Sequence, residues 1–577
     1  MKKKLLPALI VTGLIILVVI IMGITALINK YTPTKKTEDL KEYFNISSDD
    51  EVALIVNNEL SDYKAKIIDK KIYVDYKFVH DSLNSRFYWD ANENVLLYTT
   101  ASDIISAAAD SNSYSVTKQT NDFGYPIVKA TSDSALIALD YVKQYSNITF
   151  KSYDDPARIV ITSKWDEIDS ATVSKPTQVR VKGGIKSPIL KEVKKDDKIT
   201  ILDSGDKWDK VATEDGVIGY IKRKALSESK KTKLTNPDYE EETFTHIKKD
   251  KDICLAWNQV TSQSANSKVP QVISSTKGIN VMSPTWFYLN DNNGNLADIA
   301  SKDYVSYCHS QGIEVWGLFS NLENTDVDAA YVLTHTSTRT TLINQIMSAA
   351  FNYELDGVNI DFENITEAAY GDSYIEFIRE LSIKCHNNGI SLSVDVTVPA
   401  SFNKFFNRSD MAKFADYIVI MGYDEHYKGS DAGSVSSIPW VTEGVESTLK
   451  EVPADQIILG MPFYTRIWEL TPKEDDDAVT DTEDQSKYTV ASQVYSMDAA
   501  AAQLATNNAT AALDEESGQN YAEWSVSNKL YKVWLEDNTS LENRLRLVDD
   551  NKLAGAAFWK LGFENSSVWD TVIKYLN

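Results

Sequence analysis

Eight apolar segments separated by stretches with helical periodicity occupy the chain from residue 252 to its end, and this alternation restricts the fold most. Strands that alternate with helices pair in parallel, because each helix returns the chain to the same end of the sheet. The segments begin at residues 253, 278, 312, 355, 390, 415, 457 and 553. Eight such units predict a C-terminal (β/α)8 TIM barrel over residues 252–577.

The gap between the seventh and eighth segments is longer than a helix requires, which predicts a small insertion at that point. It contains an acidic run, residues 473–485, that we interpret as a solvated loop and not as a metal site. It also contains residues 521–537, whose alternating Tyr and Trp residues predict a hairpin.

The fourth segment, LDGVNIDFEN, alternates apolar residues with Asn359, Asp361 and Glu363. A strand has period two, so one face is apolar and the other is a row of polar groups. On an edge strand these acids would lie in water. A barrel strand is covered on both faces, and the acids would then point inward and end at the C-terminal mouth, where barrel enzymes keep their active sites.

Two carboxylates at this spacing repel each other, which should raise the pKa of one of them. A carboxylic acid with a raised pKa can act as a general acid near neutral pH. The fourth strand therefore predicts a catalytic acid at the barrel mouth.

Four motifs in this region resemble glycoside hydrolase family 18, whose members include chitinases and endo-N-acetylglucosaminidases. DGVNIDFE, residues 356–363, is similar to the family's DxxDxDxE motif, with Asn359 in place of its middle acid. MGYDEH at 421–426, GMPFYTR at 460–466 and GAAFWKLGFE at 555–564 resemble the sixth, seventh and eighth strands of the family. The compact barrel is most similar to the spore-cortex and cell-wall N-acetylglucosaminidases of Gram-positive bacteria.

The resemblance implies retaining, substrate-assisted hydrolysis, in which the 2-acetamido group of the substrate is the nucleophile. Glu363 would be the general acid and then the base. Asp361 would orient the acetamido N–H and stabilise the positive charge, and Tyr423 would hydrogen-bond the acetamido oxygen. Asn359 cannot take up a proton, so we expect an altered pH profile and not a loss of activity.

The same motifs supply the residues expected to contact the sugar. Trp559 would form the floor of the site, since an indole face suits the C–H face of a pyranose, although it could be a core residue. The full set of expected substrate-binding residues is Asn359, Met421, Asp424, Tyr464, Arg466 and Trp559. Trp286, Trp316 and Trp440 lie near predicted strand ends and either line the groove or belong to the core. Asp356 is expected to be structural, and His426 to pack behind the site.

The N-terminus predicts a signal-anchor transmembrane segment over residues 1–30. Residues 5–28 form an uncharged segment. This segment is long enough to span a bilayer as a helix and is longer than the apolar core of a cleavable signal peptide. The lysines at residues 2–4 favour a cytoplasmic N-terminus. The expected location is the cell membrane, single-pass, with the catalytic domain extracytoplasmic.

Between the anchor and the barrel we predict two further modules. Residues 45–165 contain a weak repeat, in which FYWDANENVLLYTT resembles FKSYDDPARIVITS, and predict a duplicated α+β module. It is similar to copper amine oxidase N-terminal-like repeats, without copper ligands, and either spaces domains or makes contacts. Residues 176–228 resemble a bacterial SH3-like β-barrel, which either binds cell-wall peptidoglycan or only spaces domains. A charged linker is expected over 227–250.

Composition restricts the partners. The net charge of −24 argues against nucleic acid, which requires a basic surface. Cys254, Cys308 and Cys385 are too few for a disulfide framework, and the histidine spacing indicates no metal site or cofactor. The expected partner is a polysaccharide that contains GlcNAc, either peptidoglycan, chitin or an N-glycan core. The alternatives are a non-catalytic chitinase-like sugar-binding protein and a surface scaffold with a vestigial barrel.

Overall fold

The computed structural model describes residues 2–363, 365, 368–473 and 484–576. It begins with a helix, Lys2–Tyr31. Among the described residues, Pro7–Tyr31 is the one helix long and apolar enough to cross a membrane, with a mean hydropathy of 2.9. The apolar helix predicted at the N-terminus is therefore present, and its insertion in a membrane stays a prediction.

The chain divides into two compact units. The first contains residues 1–89, 107–114 and 121–241, and the second contains residues 90–106, 115–120 and 242–577.

A seven-stranded sheet occupies the first unit where the repeat was predicted. Two strands of this sheet lead into helical segments: Lys71–Asp75 into Tyr76–Phe78 and Val79–Leu83, and Ala135–Ala138 into Leu139–Gln144. The two strands pair with each other antiparallel. The other strands of this sheet are Glu51–Val56, Glu59–Ile68, Val128–Ala130, Thr149–Tyr153 and Arg158–Thr162. Residues 87–122 also contain five short strands: Phe87–Asp90, Val95–Thr99, Ile104–Ala108, Ser113–Val116 and Gln119–Asp122.

A second seven-stranded sheet, antiparallel throughout, covers the region predicted to be SH3-like. Its strands are Glu167–Thr172, Thr177–Arg180, Ile189–Val193, Lys198–Asp203, Trp208–Thr213, Ile218–Lys222 and Lys230–Lys233. The strands of this sheet extend beyond the predicted range of residues 176–228 at both ends. The last strand lies inside the predicted linker. The linker prediction was wrong there, because Lys230–Lys233 pairs with Glu167–Thr172.

The end of the predicted linker also has fixed partners, within the second unit. The ring of Phe244 lies 4.9 Å from that of Phe414, edge to face. The backbone N–H of Ile247 donates a 2.6 Å hydrogen bond to Asp416. An aromatic contact and a buried acceptor thus hold a segment whose composition alone suggested a solvated connection.

Eight parallel strands in the second unit close into a barrel, as predicted. Leu255 on the first strand lies opposite both Val281 on the second and Ala557 on the eighth, which completes the ring. The strands are β1 (Ile253–Asn258), β2 (Val281–Leu289), β3 (Glu314–Ser320), β4 (Gly357–Asp361), β5 (Ser391–Thr397), β6 (Tyr417–Met421), β7 (Ile457–Pro462) and β8 (Gly555–Trp559). A short strand, Leu296–Asp298, pairs antiparallel with β2.

Helices cover the outside of this barrel and bury the apolar face of each strand. Val358 and Ile360 of β4 belong to the large core between strands and helices, together with Phe377 and Leu381 of the helix Ala368–His386. The other helices of this unit are Val269–Val272, Lys302–Ser310, Ala329–Thr334, Thr336–Tyr353, Arg408–Phe414, Ile438–Thr448, Asn538–Asp550 and Val568–Tyr575, with 3-10 turns at Gln263–Lys268, Ser401–Phe406 and Ala454–Gln456. A smaller core fills the barrel itself and includes Leu255, Trp257 and Val419.

The predicted insertion lies between β7 and β8, and its described residues form a five-stranded antiparallel sheet and the helix Met497–Thr506. Its strands are Tyr464–Pro472, Tyr488–Ser496, Ala512–Asp514, Gln519–Val526 and Lys529–Leu535. The last two strands form the hairpin predicted over residues 521–537. Most of the acidic run at 473–485 lies outside the described residues.

Candidate active site

Asn359, in the middle of β4, points into the barrel and is fully buried. Its Oδ1 accepts hydrogen bonds from the indole Nε1 of Trp257, at 3.0 Å, and from the hydroxyl of Ser283, at 2.9 Å. Its Nδ2 donates to Ser393 at 3.0 Å and to Oδ1 of Asp395 at 2.7 Å. Four hydrogen bonds satisfy this amide, so its role in the structure is to connect β1, β2, β4 and β5.

Asp361 ends β4 and lies next to the mouth of the barrel, with 9% of its surface exposed. Its Oδ1 atom is buried and has no hydrogen-bond partner within the described part of the chain. Burial raises the pKa of Asp361 well above its usual value, and the negative charges of Asp395, Glu363 and Glu323 raise it further. A buried oxygen without a partner, such as the Oδ1 atom of Asp361, can accept a hydrogen bond from a polar group of a ligand.

Glu363 lies two residues beyond Asp361, on the loop that follows β4, with its side chain exposed at the mouth. Its backbone N–H donates a 3.0 Å hydrogen bond to Oδ1 of Asn321, which fixes the loop after β4 to the loop after β3. Desolvation by the surrounding walls raises the pKa of Glu363, and the charges of Asp424 and Glu323 act in the same direction. Glu363 is thus kept protonated to a higher pH than an isolated glutamate.

Tyr423 follows β6 and faces the same carboxylates. Its ring lies edge to face with Trp257, with centroids 6.5 Å apart, and with Tyr464, at 6.2 Å. Burial, followed by the charges of Asp361, Asp395 and Glu363, raises the pKa of Tyr423 well above its usual value. Its hydroxyl therefore stays protonated and can donate a hydrogen bond at the mouth.

Asp424, Tyr464 and Arg466 form a second polar group beside Glu363. The hydroxyl of Tyr464 donates a hydrogen bond to Oδ1 of Asp424. A guanidinium nitrogen of Arg466 lies 3.8 Å from the same oxygen, and another donates to Ser492 at 3.3 Å. The insertion thereby contributes two of the predicted substrate-binding side chains to the barrel mouth.

Trp559 ends β8 and is partly exposed. Its ring lies 5.9 Å from that of Trp257, at 64°. Met421 ends β6 and retains 8% exposure. All nine residues predicted for the site therefore occur on β4, β6 and β8, on the loops after β4 and β6, or on the first strand of the insertion.

Other candidates from the sequence lie elsewhere. Trp286 and Trp316 are fully buried, with their indole N–H groups bonded to Asn266 and Glu314, so the groove interpretation was wrong for both and the core alternative is correct. Trp440 is partly buried against the outer core. His426 bonds the backbone of Asp431 in the loop after β6. Asp356 precedes β4, where it accepts from the N–H of Val315 and contacts His309.

Sequence reasoning missed four residues of this site: Trp257, Asn321, Glu323 and Asp395. Asp395 could have been found from the sequence, because it is the one acid in the apolar segment ISLSVDVTVPA. It lies at a position of β5 whose side chain points into the barrel. The others lie on or after strands with no acidic pattern, and only the closed barrel brings them to β4.

The three cysteines are free and buried, and burial raises the pKa of the Cys254 thiol to about 12. Among the residues that the structure describes, no three His, Cys, Asp or Glu side chains are arranged to hold a metal ion.

Part of the sequence is similar to a family of hydrolases and to several known proteins. Residues 324–564 match the family Glycosyl hydrolases family 18. The chain is 24% identical, over 49% of its length and 81% of the relative, to the "uncharacterized glycosylase YvbX" of Bacillus subtilis. It is also 24% identical, over 48% of its length and 63% of the relative, to the cortical fragment-lytic enzyme of the same species.

A similar fold occurs in the spore cortex-lytic enzyme SleL of Bacillus cereus, with a TM-score of 0.50 and 18% identity over 56% of this chain and 74% of that one. The sequence match covers the strands that present Asp361, Glu363, Tyr423 and Trp559. The C-terminal region therefore contains a glycoside hydrolase family 18 domain, and the chain is a glycoside hydrolase.

Proposed function

We propose that the chain is a membrane-anchored, extracytoplasmic hydrolase that cleaves β-1,4 linkages of glycans containing N-acetylglucosamine, with peptidoglycan as the first candidate. The observation that carries this proposal is the group of Glu363, Asp361 and Tyr423 at one barrel mouth. The pKa of Glu363 is raised there, and Asp361 presents an unpartnered buried oxygen. These three groups fit an acid, an acceptor and a donor around one 2-acetamido sugar.

In the first step Glu363 protonates the glycosidic oxygen as the bond from C1 to that oxygen breaks. The carbonyl oxygen of the substrate's own acetamido group forms the new bond to C1, which gives an oxazolinium ion. The raised pKa of Glu363 keeps the carboxyl group protonated to a higher pH than an ordinary glutamate, which is what a general acid requires. General acid–base assistance of this kind contributes about 10²–10⁴ in rate.

Asp361 and Tyr423 hold the acetamido group during this attack. The free Oδ1 of Asp361 accepts the acetamido N–H, and its negative charge stabilises the oxazolinium ion. The Tyr423 hydroxyl donates to the acetamido oxygen and orients it toward C1. In the second step Glu363, now ionised, takes a proton from water as the water attacks C1, so that configuration is retained and the enzyme is regenerated.

The substrate class follows from the acetamido requirement and from the relatives. Similar proteins are named as cortical fragment-lytic and spore cortex-lytic enzymes, and others as chitinases. The apolar helix Pro7–Tyr31 would anchor the chain next to the cell wall. An SH3-like module over residues 176–228 would contact peptidoglycan, and the duplicated module over 45–165 would serve as a spacer.

The test uses the full-length chain in detergent micelles, incubated with purified peptidoglycan and with chitin oligosaccharides, with products identified by mass spectrometry. Glu363→Gln is the matched control, because it keeps the shape of the side chain and removes the acid. Muropeptides with a new GlcNAc reducing end, absent with the variant, would support the wall-hydrolase proposal. Cleavage of chitin alone would retain the enzyme and reject the wall substrate. Binding of GlcNAc oligomers without cleavage would identify a sugar-binding protein instead.

A further inference from the structure

The amide of Asn359 can bond in only one orientation. An indole N–H can only donate, so the Asn359 atom that faces Trp257 must be the carbonyl oxygen Oδ1. The Nδ2 group must then face β5, where it donates to Ser393 and Asp395. Asn359 therefore cannot take up a proton from Asp361 or from Asp395.

Asp395 occupies the position beside Asp361 on the neighbouring strand. Asn359 lies opposite Ser393 and Ile360 lies opposite Val394, so the next positions along β4 and β5 are Asp361 and Asp395. Both side chains point into the barrel, and Asp395 is only 2% exposed. Burial and mutual repulsion oppose the ionisation of both carboxyl groups at once, because each charge is desolvated and repels the other.

We propose that Asp361 and Asp395 share one proton, and that Asp395 stores this proton while Asp361 is negatively charged during catalysis. This inference rests on the proposed function for the catalytic part of the cycle. Asp395 touches no reacting atom and acts through Asp361, so it is a positioning residue. The group that stores the proton is thus Asp395 on β5, the strand next to β4, and Asn359 holds its side chain in place.

The proton balance is simple. Before the reaction the pair carries one proton and one negative charge. As positive charge develops on the oxazolinium ion, the proton moves from Asp361 to the Oδ2 atom of Asp395, while the Oδ1 atom still accepts from Asn359. Asp361 is then an anion beside the acetamido N–H. When water has attacked C1 and the positive charge is gone, the proton returns, and the net charge of the pair never changes.

The other ionisable groups around the pair favour a single negative charge. Glu363 faces Asp395 from the loop after β4, and Glu323 faces Asp361 from the loop after β3. Tyr374, on the helix Ala368–His386, and Tyr423 face both aspartates, and both tyrosines are kept neutral by burial and by these charges. Burial is the main cause that raises the pKa of Asp395, while its hydrogen bond from Asn359 opposes that shift.

The kinetic test compares the full-length wild type with Asp395→Asn, Ser393→Ala and the exchange Asn359→Asp/Asp395→Asn, on a GlcNAc oligosaccharide over a range of pH. We expect Asp395→Asn to lower kcat about tenfold or more with little change in KM, and to change the shape of the pH profile. Ser393→Ala removes the other acceptor of the Asn359 amide and should keep the wild-type profile. The exchange restores a carboxyl group next to Asp361 and should recover most of kcat.

A second measurement does not depend on activity. Infrared spectra of the full-length protein with ¹³C-labelled aspartate report protonated aspartate carboxyls and exclude glutamate. We expect a protonated band in the wild type at pH 7 that titrates at lower pH in Asp395→Asn. If the wild type hydrolyses no glycan, the proposed function fails, and this band still decides whether the proton is shared.

Three results would overturn the inference, and the first two come from the spectrum and from the Asp395→Asn enzyme. One is a wild-type spectrum without protonated aspartate at pH 7, or with a band whose titration Asp395→Asn leaves unchanged. The other is an Asp395→Asn enzyme, folded by thermal unfolding, whose kcat and pH profile equal those of the wild type. An exchange variant no more active than Asp395→Asn would also count against the inference, because a shared proton requires only a carboxyl group beside Asp361.

Discussion

The hydroxyl of Tyr464 donates a hydrogen bond to Oδ1 of Asp424, and so joins the first strand of the insertion to the loop after β6. Asp424 lies next to Tyr423 in the chain, and its charge contributes to the raised pKa of Glu363. This contact therefore connects the insertion, which has no counterpart in the eight-fold pattern of the barrel, to the acid that we propose for catalysis.

Tyr464→Phe should weaken substrate binding more than chemistry. The variant removes one hydrogen bond to a charged group, worth about 1.5–3 kcal/mol, and leaves Asp424 with the longer contact to Arg466. We expect KM for GlcNAc oligosaccharides to rise about tenfold, with a smaller change in kcat. Tyr495→Phe is the matched control, because that hydroxyl bonds Gln493 on the same sheet at 3.2 Å. An equal effect of both variants on KM would contradict the assignment.

Glu363→Gln should strongly lower turnover and keep binding. Glutamine cannot donate the proton that the leaving oxygen requires, so we expect kcat to fall by about 10²–10⁴. Steady-state kinetics on chitin oligosaccharides measures the loss, and calorimetry with the same ligand measures binding. A variant with wild-type turnover would show that the acid lies elsewhere.

Glu323→Gln should move the alkaline limb of the pH–rate profile to lower pH. The negative charge of Glu323 helps to raise the pKa of Glu363, and the active form of Glu363 in the first step is protonated. Removal of that charge lowers the pKa of Glu363, so activity is lost earlier as the pH rises. The measurement is kcat/KM against pH, and a shift toward alkaline pH would contradict the electrostatic argument.

Trp559→Ala should raise KM, because it removes the aromatic surface expected under the sugar ring. Trp559→Phe should recover part of the affinity, since a smaller ring keeps an apolar face. Trp524→Ala serves as the control for loss of a partly buried tryptophan: its ring stacks on Tyr531 in the insertion, at 5.4 Å. If the two Ala variants change KM equally, Trp559 is a structural residue and not the floor of the site.

Glu536→Gln should remove part of the pH dependence of stability. Glu536 is buried against Arg544, and burial raises the pKa of Glu536 to about 7. Its unfolded value is about 4.3. Its contribution to the free energy of unfolding is therefore full below about pH 4 and is lost as the pH rises to about 7.

Thermal unfolding of the wild type and of Glu536→Gln over this pH range makes the comparison. The Tm of the wild type minus the Tm of Glu536→Gln should decrease as the pH rises, because only the wild type loses this contribution. Glu446→Gln, an exposed residue on the helix Ile438–Thr448, should keep the wild-type slope. A difference in Tm that does not vary with pH would contradict the raised pKa.

Local patterns in the sequence were sufficient for the barrel, its strand order and the inward direction of Asn359 and Asp361. These features depend on the period of two in a strand and on the alternation of strands with helices, and both are visible within a few residues. The boundaries of the linker were less predictable, because a charged segment can still pair its backbone with a strand distant in sequence, as Lys230–Lys233 does.

The sequence by itself determined the barrel, the insertion and the position of an acidic group at the end of the fourth strand. Only the tertiary structure decided that Trp286 and Trp316 are core residues, that Tyr464 bonds Asp424, and that Asp395 lies beside Asp361. The physical reason is distance along the chain: Trp257 and Asn359 are 102 positions apart, and Asn359 and Asp395 are 36. Burial and the charges of neighbouring strands set the pKa values of the site, and neither exists until the barrel is closed.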